Sequence, residues 1–134
     1  MVVQKKVKKL TTAQLNKKVW EECKRIIRLR YPNTCYTCGR SGLEGSNLHT
    51  GHMISKASLP LKYKYDLAIL RPQCYNCNIN HGGQGAYFIK RWEAEGNSFE
   101  DLEREINLAK QKPMGGVESW IFLTNLLEEY KSIK

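Results

Sequence analysis

Long apolar runs are missing from this chain. No stretch of about 18 apolar residues occurs, so no membrane span is expected. The opening residues, MVVQKKVKKL, carry charge but no apolar signal core, so a secretory leader is not expected and the cytoplasm is the expected location. Low-complexity segments are absent, and nothing repeats beyond two similar cysteine pairs. Acidic residues are few: 13 Asp and Glu stand against 22 Lys and Arg, for a formal net charge of +9. The imbalance is also uneven. Residues 1–30 hold ten of the basic residues, Lys5 to Arg30, against Glu21 and Glu22, a net of +8. A basic arm and helix of this kind suit a polyanion, most simply nucleic acid.

The chain is 134 residues long, which fits one domain, and a hydrophobic share of 41% permits a modest core. Residues 1–10 read as a flexible basic arm and 11–134 as a single domain. Thr12 to about Arg30 has helical periodicity, with Thr12 as cap and Leu15, Val19, Cys23, Ile26 and Ile27 on one face. Cys23 lies on that stripe and reads as a core residue. Tyr31-Pro32-Asn33 ends the helix. Leu48 to Ile54 reads as a short strand, Ser55 to Tyr65 as a loop, and Leu67–Leu70 as an apolar run. A helix is expected from Ala86 to Glu95, with Tyr87, Phe88 and Trp92 inward and Gly96 as stop. Ser98 and Asp101 resemble a capping box for a helix to about Lys110. A last helix is expected over Val117 to Ser132, with a broad stripe of Trp120, Ile121, Leu123, Thr124 and Leu127.

Four of the five cysteines form two CxxC pairs, Cys35/Cys38 and Cys74/Cys77. A two-residue spacer lets both thiolates of a tight turn reach one ion, and two such turns complete a tetrahedral zinc shell with no open position. The expected zinc is therefore structural. A redox CxxC would sit at a helix start in a strand–helix–strand unit, whereas these lie in turn-rich segments. Haem attachment needs a histidine directly after the pair, where Gly39 and Asn78 stand. The chain has three histidines: His49 and His52 lie between the pairs, and His81 follows the second.

The order His49-Thr50-Gly51-His52, then Arg71-Pro72-Gln73-Cys74-Tyr75-Asn76-Cys77-Asn78, then Gly82-Gly83-Gln84, resembles the HNH, or ββα-metal, nuclease family. Within that family it is similar to the NinG/Rap recombination nucleases of lambda-type phages, and the Cys-Asn junction also resembles phage endonuclease VII. The resemblance covers about residues 34–96. It implies a small α+β fold: a zinc-stapled ββα-metal core (34–96) with flanking N- and C-terminal helices, the latter within 97–134. By the resemblance, His52 is the general base and Asn78 a ligand of a catalytic Mg²⁺ or Mn²⁺. Neutral imidazole suits the first role and a carboxamide oxygen the second.

Two positions depart from the family pattern. Gly51 stands where many members have a metal-binding Asp, and Ile69 aligns with the family's middle Asn. His49, His81 and the more distant Asp66 are the candidates to replace the missing ligand. Lys56, Lys62, Lys64 and Arg71 are candidate phosphate contacts, and Tyr36, Tyr63, Tyr65 and Tyr75 could stack on unpaired bases. The resemblance implies a metal-dependent DNA endonuclease acting on branched or recombining DNA, such as a Holliday junction or displaced-strand loop, and leaving 5′-phosphate and 3′-hydroxyl ends. It hints at a homodimer, since branched DNA has near two-fold symmetry, and at a host-cell cytoplasm if the chain is phage-encoded. The alternative from another class is a non-catalytic zinc-containing module that binds nucleic acid.

Overall fold

The computed structural model describes residues 9–134; Lys5, Lys6, Lys8 and most of the expected arm lie outside them. The first helix, α1 (Thr12–Arg30), is capped by Thr11, one residue before the expected cap Thr12. Thr11 accepts a bond from the Gln14 amide while the Gln14 side chain accepts from the Thr11 amide, a reciprocal capping box that uses two otherwise unpaired donors. The expected stripe is the buried face: Leu15, Val19, Cys23, Ile26 and Ile27 are all inaccessible.

Two short strands follow, β1 (His49–His52) and β2 (Leu70–Gln73). They pair antiparallel, His49 opposite Gln73 and His52 opposite Leu70. The connection that read as a loop contains helical turns, Lys56–Ser58 and the one-turn helix α2 (Leu61–Lys64), where Pro60 precedes the helix and leaves no unpaired N–H. After β2 a wide helical turn of π type spans Asn76–Asn80. Then come α3 (Gly85–Ala94), α4 (Phe99–Gln111) and α5 (Gly116–Lys131). Ser98 caps α4 by accepting from the Asp101 amide. The fold is thus a small mixture of helices and one two-stranded antiparallel sheet.

Three apolar clusters hold these elements. In the first, α1 packs on α5 through Leu123, Leu127 and Tyr130, with Tyr65 and Leu70 beneath. The second gathers Met53, Ile69, Phe88, Trp92, Leu102 and Ile106 between the hairpin and helices α3 and α4. The third is the cysteine cluster with Leu43. Two expected core residues lie outside: Tyr87 is 62% exposed and Ile121 48% exposed. Tyr87 is one residue from the inward Phe88 and Ile121 two from the inward Leu123, so neither is a full turn away. No described helix is long and apolar enough to cross a membrane.

Candidate functional site

The two CxxC turns meet. Ligand sulfurs of Cys35, Cys38, Cys74 and Cys77 all lie within 4.8 Å of one another, and Cys38 Sγ is 3.8 Å from Cys74 Sγ. Metal–sulfur bonds of 2.3 Å would set tetrahedral sulfurs about 3.8 Å apart, so the cluster could hold a structural metal ion such as zinc. Burial pushes the Cys77 thiol up, and the neighbouring sulfurs push the same way. Burial also acts upward on Cys35, but hydrogen bonds from Thr37 and from backbone amides outweigh it and hold that thiol low. A cation between the four sulfurs would be bound by them as thiolates.

A β-strand sends alternate side chains to opposite faces, so His49 and His52, three residues apart, cannot share a face. Their contacts agree. His49 Nδ1 accepts a 2.9 Å bond from Asn78 Nδ2, and the ring meets Tyr75 edge-on. Its Nε2 lies 2.9 Å from the Ser46 carbonyl. A carbonyl only accepts, so Nε2 carries the proton and both ring nitrogens are engaged.

His52 points to the other side, toward α1. Its Nε2 is 2.9 Å from the Lys64 carbonyl, so Nε2 is the protonated nitrogen of the neutral ring and Nδ1 bears the lone pair. Burial holds the imidazole below its ordinary value; the Lys64 bond opposes this, and the Lys56 ammonium reinforces it. The Trp20 indole stacks on the ring, with centroids 5.0 Å apart and planes 19° apart. Lys56 Nζ stands 5.0 Å over Trp20 and 5.5 Å over Tyr65.

Gln73 links the two regions. It is fully buried on β2, on the same face as His49 and Gly51. Its Nε2 donates to Thr37 Oγ1 at 3.0 Å and to the Gly83 carbonyl at 2.8 Å. Thr37, having accepted that bond, can turn its own hydrogen to Cys35 Sγ at 3.5 Å. Gly83 has φ +89°, a conformation that suits glycine, and its amide donates to the Cys77 carbonyl. Gln73 Oε1 has no hydrogen-bond partner and lies where a side chain at residue 51 would be: a Cβ on Gly51 would come within 1.8 Å of it. Gly51 is therefore not simply a lost carboxylate, because Gln73 fills the space a carboxylate would need.

Several expected site residues take other places. Arg71 is 5% exposed and faces inward. Its guanidinium pairs with Glu95 at 3.0 Å, donates to the Leu70, Ala68 and Leu67 carbonyls, and lies against the Tyr31 and Tyr36 rings. It ties β2 to the end of α3 and is not free to hold phosphate. Lys62 stands over Tyr63 and lines a groove of about 580 Å³ between α2 and α4, whereas His52 faces α1. Lys56 is exposed and Lys64 half-buried beside His52. Asp66 caps the turn at Ala68. Ile69 is fully buried in the second apolar cluster, where an asparagine would need a partner. Tyr63 and Tyr65 are core residues, Tyr36 bonds Glu95, and Tyr75 alone of the four is exposed.

Of the residues expected to hold a catalytic divalent ion, His49 and Asn78 are brought together in a 2.9 Å hydrogen bond, and His81 is in neither that contact nor the one to Ser46. His49 is spent on Asn78 and Ser46, His81 is exposed at the end of the π-type turn, and position 51 is filled from across the hairpin. Among the described residues no cluster of three or more His, Cys, Asp or Glu ligands exists besides the four cysteines. Asn78 Oδ1 is the oxygen left, one neutral donor where a hard cation prefers carboxylates. Sequence reading gave no role to Trp20, or to Gln73 beyond its place in the motif. Trp20 had one signal, an aromatic flanking the apolar stripe of α1 next to Lys17 and Lys18, and Gln73 another, an amide directly before the second cysteine pair. No family profile, curated protein or solved structure matches the chain.

Proposed function

We propose that the chain is an HNH-type DNA endonuclease that hydrolyses phosphodiester bonds, with branched or recombining DNA as substrate. The observation that carries this reading is His52: at the end of a hairpin stapled by two CxxC turns, its bond to the Lys64 carbonyl leaves Nδ1 as an unprotonated base. Two antiparallel strands followed by a helical segment bearing Asn78 support this reading. In this reading His52 Nδ1 takes a proton from water as the water attacks phosphorus. Lys56 and Lys64 offset charge on the phosphate. The described surface of α1, with Lys17, Lys18 and Arg28 exposed, supplies sequence-independent attraction to the backbone.

No step is assigned to a divalent ion, since the protein alone offers Asn78 Oδ1 and no carboxylate. The packing of Gln73 at Gly51 favours the second reading, a zinc-containing module that binds nucleic acid without cutting it. One assay separates them. Purified protein is incubated with a labelled four-way junction and a matched duplex, in Mg²⁺, Mn²⁺ and EDTA, beside His52→Ala. The nuclease reading expects cleavage that falls at least about 10²-fold in the variant while DNA affinity is kept. Binding without cleavage in every condition would establish the binding module instead. Cleavage in Mg²⁺ or Mn²⁺ but not EDTA would mean that an ion arrives with the substrate phosphates.

A further inference from the structure

Trp20 lies on α1, outside the hairpin and outside both cysteine turns, yet its indole covers the His52 ring. The Lys64 carbonyl holds Nε2 in the plane of the imidazole. A single in-plane bond leaves the ring free to turn about that axis, and turning sweeps Nδ1 through an arc. A stacked partner nearly parallel to the ring removes this freedom. We propose that Trp20 is the positioning residue of His52, aiming its Nδ1 lone pair; the inference rests on the reading of His52 as general base.

The indole is itself held. Val19 and Cys23, its neighbours on α1, are fully buried against α5. The Tyr65 ring leans on Trp20 at 6.5 Å, and Tyr65 is locked at both ends. Its hydroxyl donates to Asn16 Oδ1 at 2.6 Å, one helical turn before Trp20, and its carbonyl accepts from the Tyr130 hydroxyl of α5. Lys56 stands over both rings. Each element packed around His52 thus contributes a defined group: an uncharged indole from α1, an ammonium from the turn after β1, and a carbonyl from α2. The orientation of the base is set by a helix that the cysteine and histidine motifs do not include.

The test uses the full chain with Trp20→Leu and Trp20→Phe. Leucine keeps an apolar side chain but has no plane to stack; phenylalanine keeps the plane. Carbon relaxation at His52 Cε1 reads ring mobility, and side-chain nitrogen shifts read the tautomer. The expected result is a rigid ring with one tautomer, protonated at Nε2, in the wild type and in Trp20→Phe. Trp20→Leu should show a mobile ring with the Nε2-protonated tautomer kept by the Lys64 bond. On a junction substrate, kcat should fall on the order of 10²-fold in Trp20→Leu with KM unchanged, and return in Trp20→Phe. A rigid His52 ring in Trp20→Leu would overturn the inference, as would an unaltered kcat. The spectra need no turnover, so they decide the inference even if the wild-type chain leaves DNA intact, an outcome that sinks the nuclease reading alone.

Discussion

Residue 52 and residue 51 are neighbours in sequence and opposite in demand. His52 is held neutral by burial first, with Lys56 adding to the effect against the Lys64 bond, so its titration lies below 6.5. The neutral ring is the base, so activity should persist as pH falls through 6.5 and fail only further down. The acid limb of the pH–rate profile checks this. Stability follows the same sign: the unfolded chain binds the proton first, so this contribution is full above 6.5 and is lost between 6.5 and the lower folded value. Gly51 has no room for a side chain. Gly51→Asp, the substitution that would write in the family's carboxylate, should not build a metal site. It should destabilise the fold by at least about 1–3 kcal/mol, the range for overpacking, in denaturant unfolding. Enhanced cleavage by a stable Gly51→Asp protein would show that Gln73 can move aside.

The hairpin is short, four residues on each strand, and its side chains do less to hold it than what packs behind it. Arg71 is the clearest case. It sits in the sequence next to Pro72 and Gln73 as if to greet a phosphate, but β2 is buried along its whole length, and Arg71 shares a face with Gln73. There it meets Glu95 at the end of α3 and three backbone carbonyls. Arg71→Ala should therefore cost about 2–3 kcal/mol of stability by removing charge-assisted hydrogen bonds to Glu95 and to the buried Leu70 carbonyl. A phosphate ligand would instead lose DNA affinity with stability intact, so unfolding and binding curves of one variant distinguish the roles. The helices were legible because each carries its own period and cap: α1 and α4 formed where the apolar spacing and Ser/Thr signals put them. The connection between the strands was less so. Its turns in Lys56–Ser58 and α2 are too short for any period to show.

Across the whole molecule, the cysteine cluster and the α1–α5 pair are separate apolar clusters, with the hairpin between them. Removing a bound metal with a strong chelator should therefore strip protection from amides of the two CxxC turns and the hairpin first, and leave the α1–α5 amides protected. Hydrogen exchange with and without chelator measures this; uniform loss would mean one cooperative unit. The sequence by itself determined the cysteine pairing into one cluster, the four long helices and the concentration of positive charge in the first 30 residues. These follow from spacing, period and composition, which are local. Only the tertiary structure decided that Trp20 stacks on His52, that Gln73 fills the space at Gly51, that His49 serves Asn78, and that Arg71 faces inward. Each of those depends on which face of a strand meets which helix, and that is settled by packing between residues far apart in the chain.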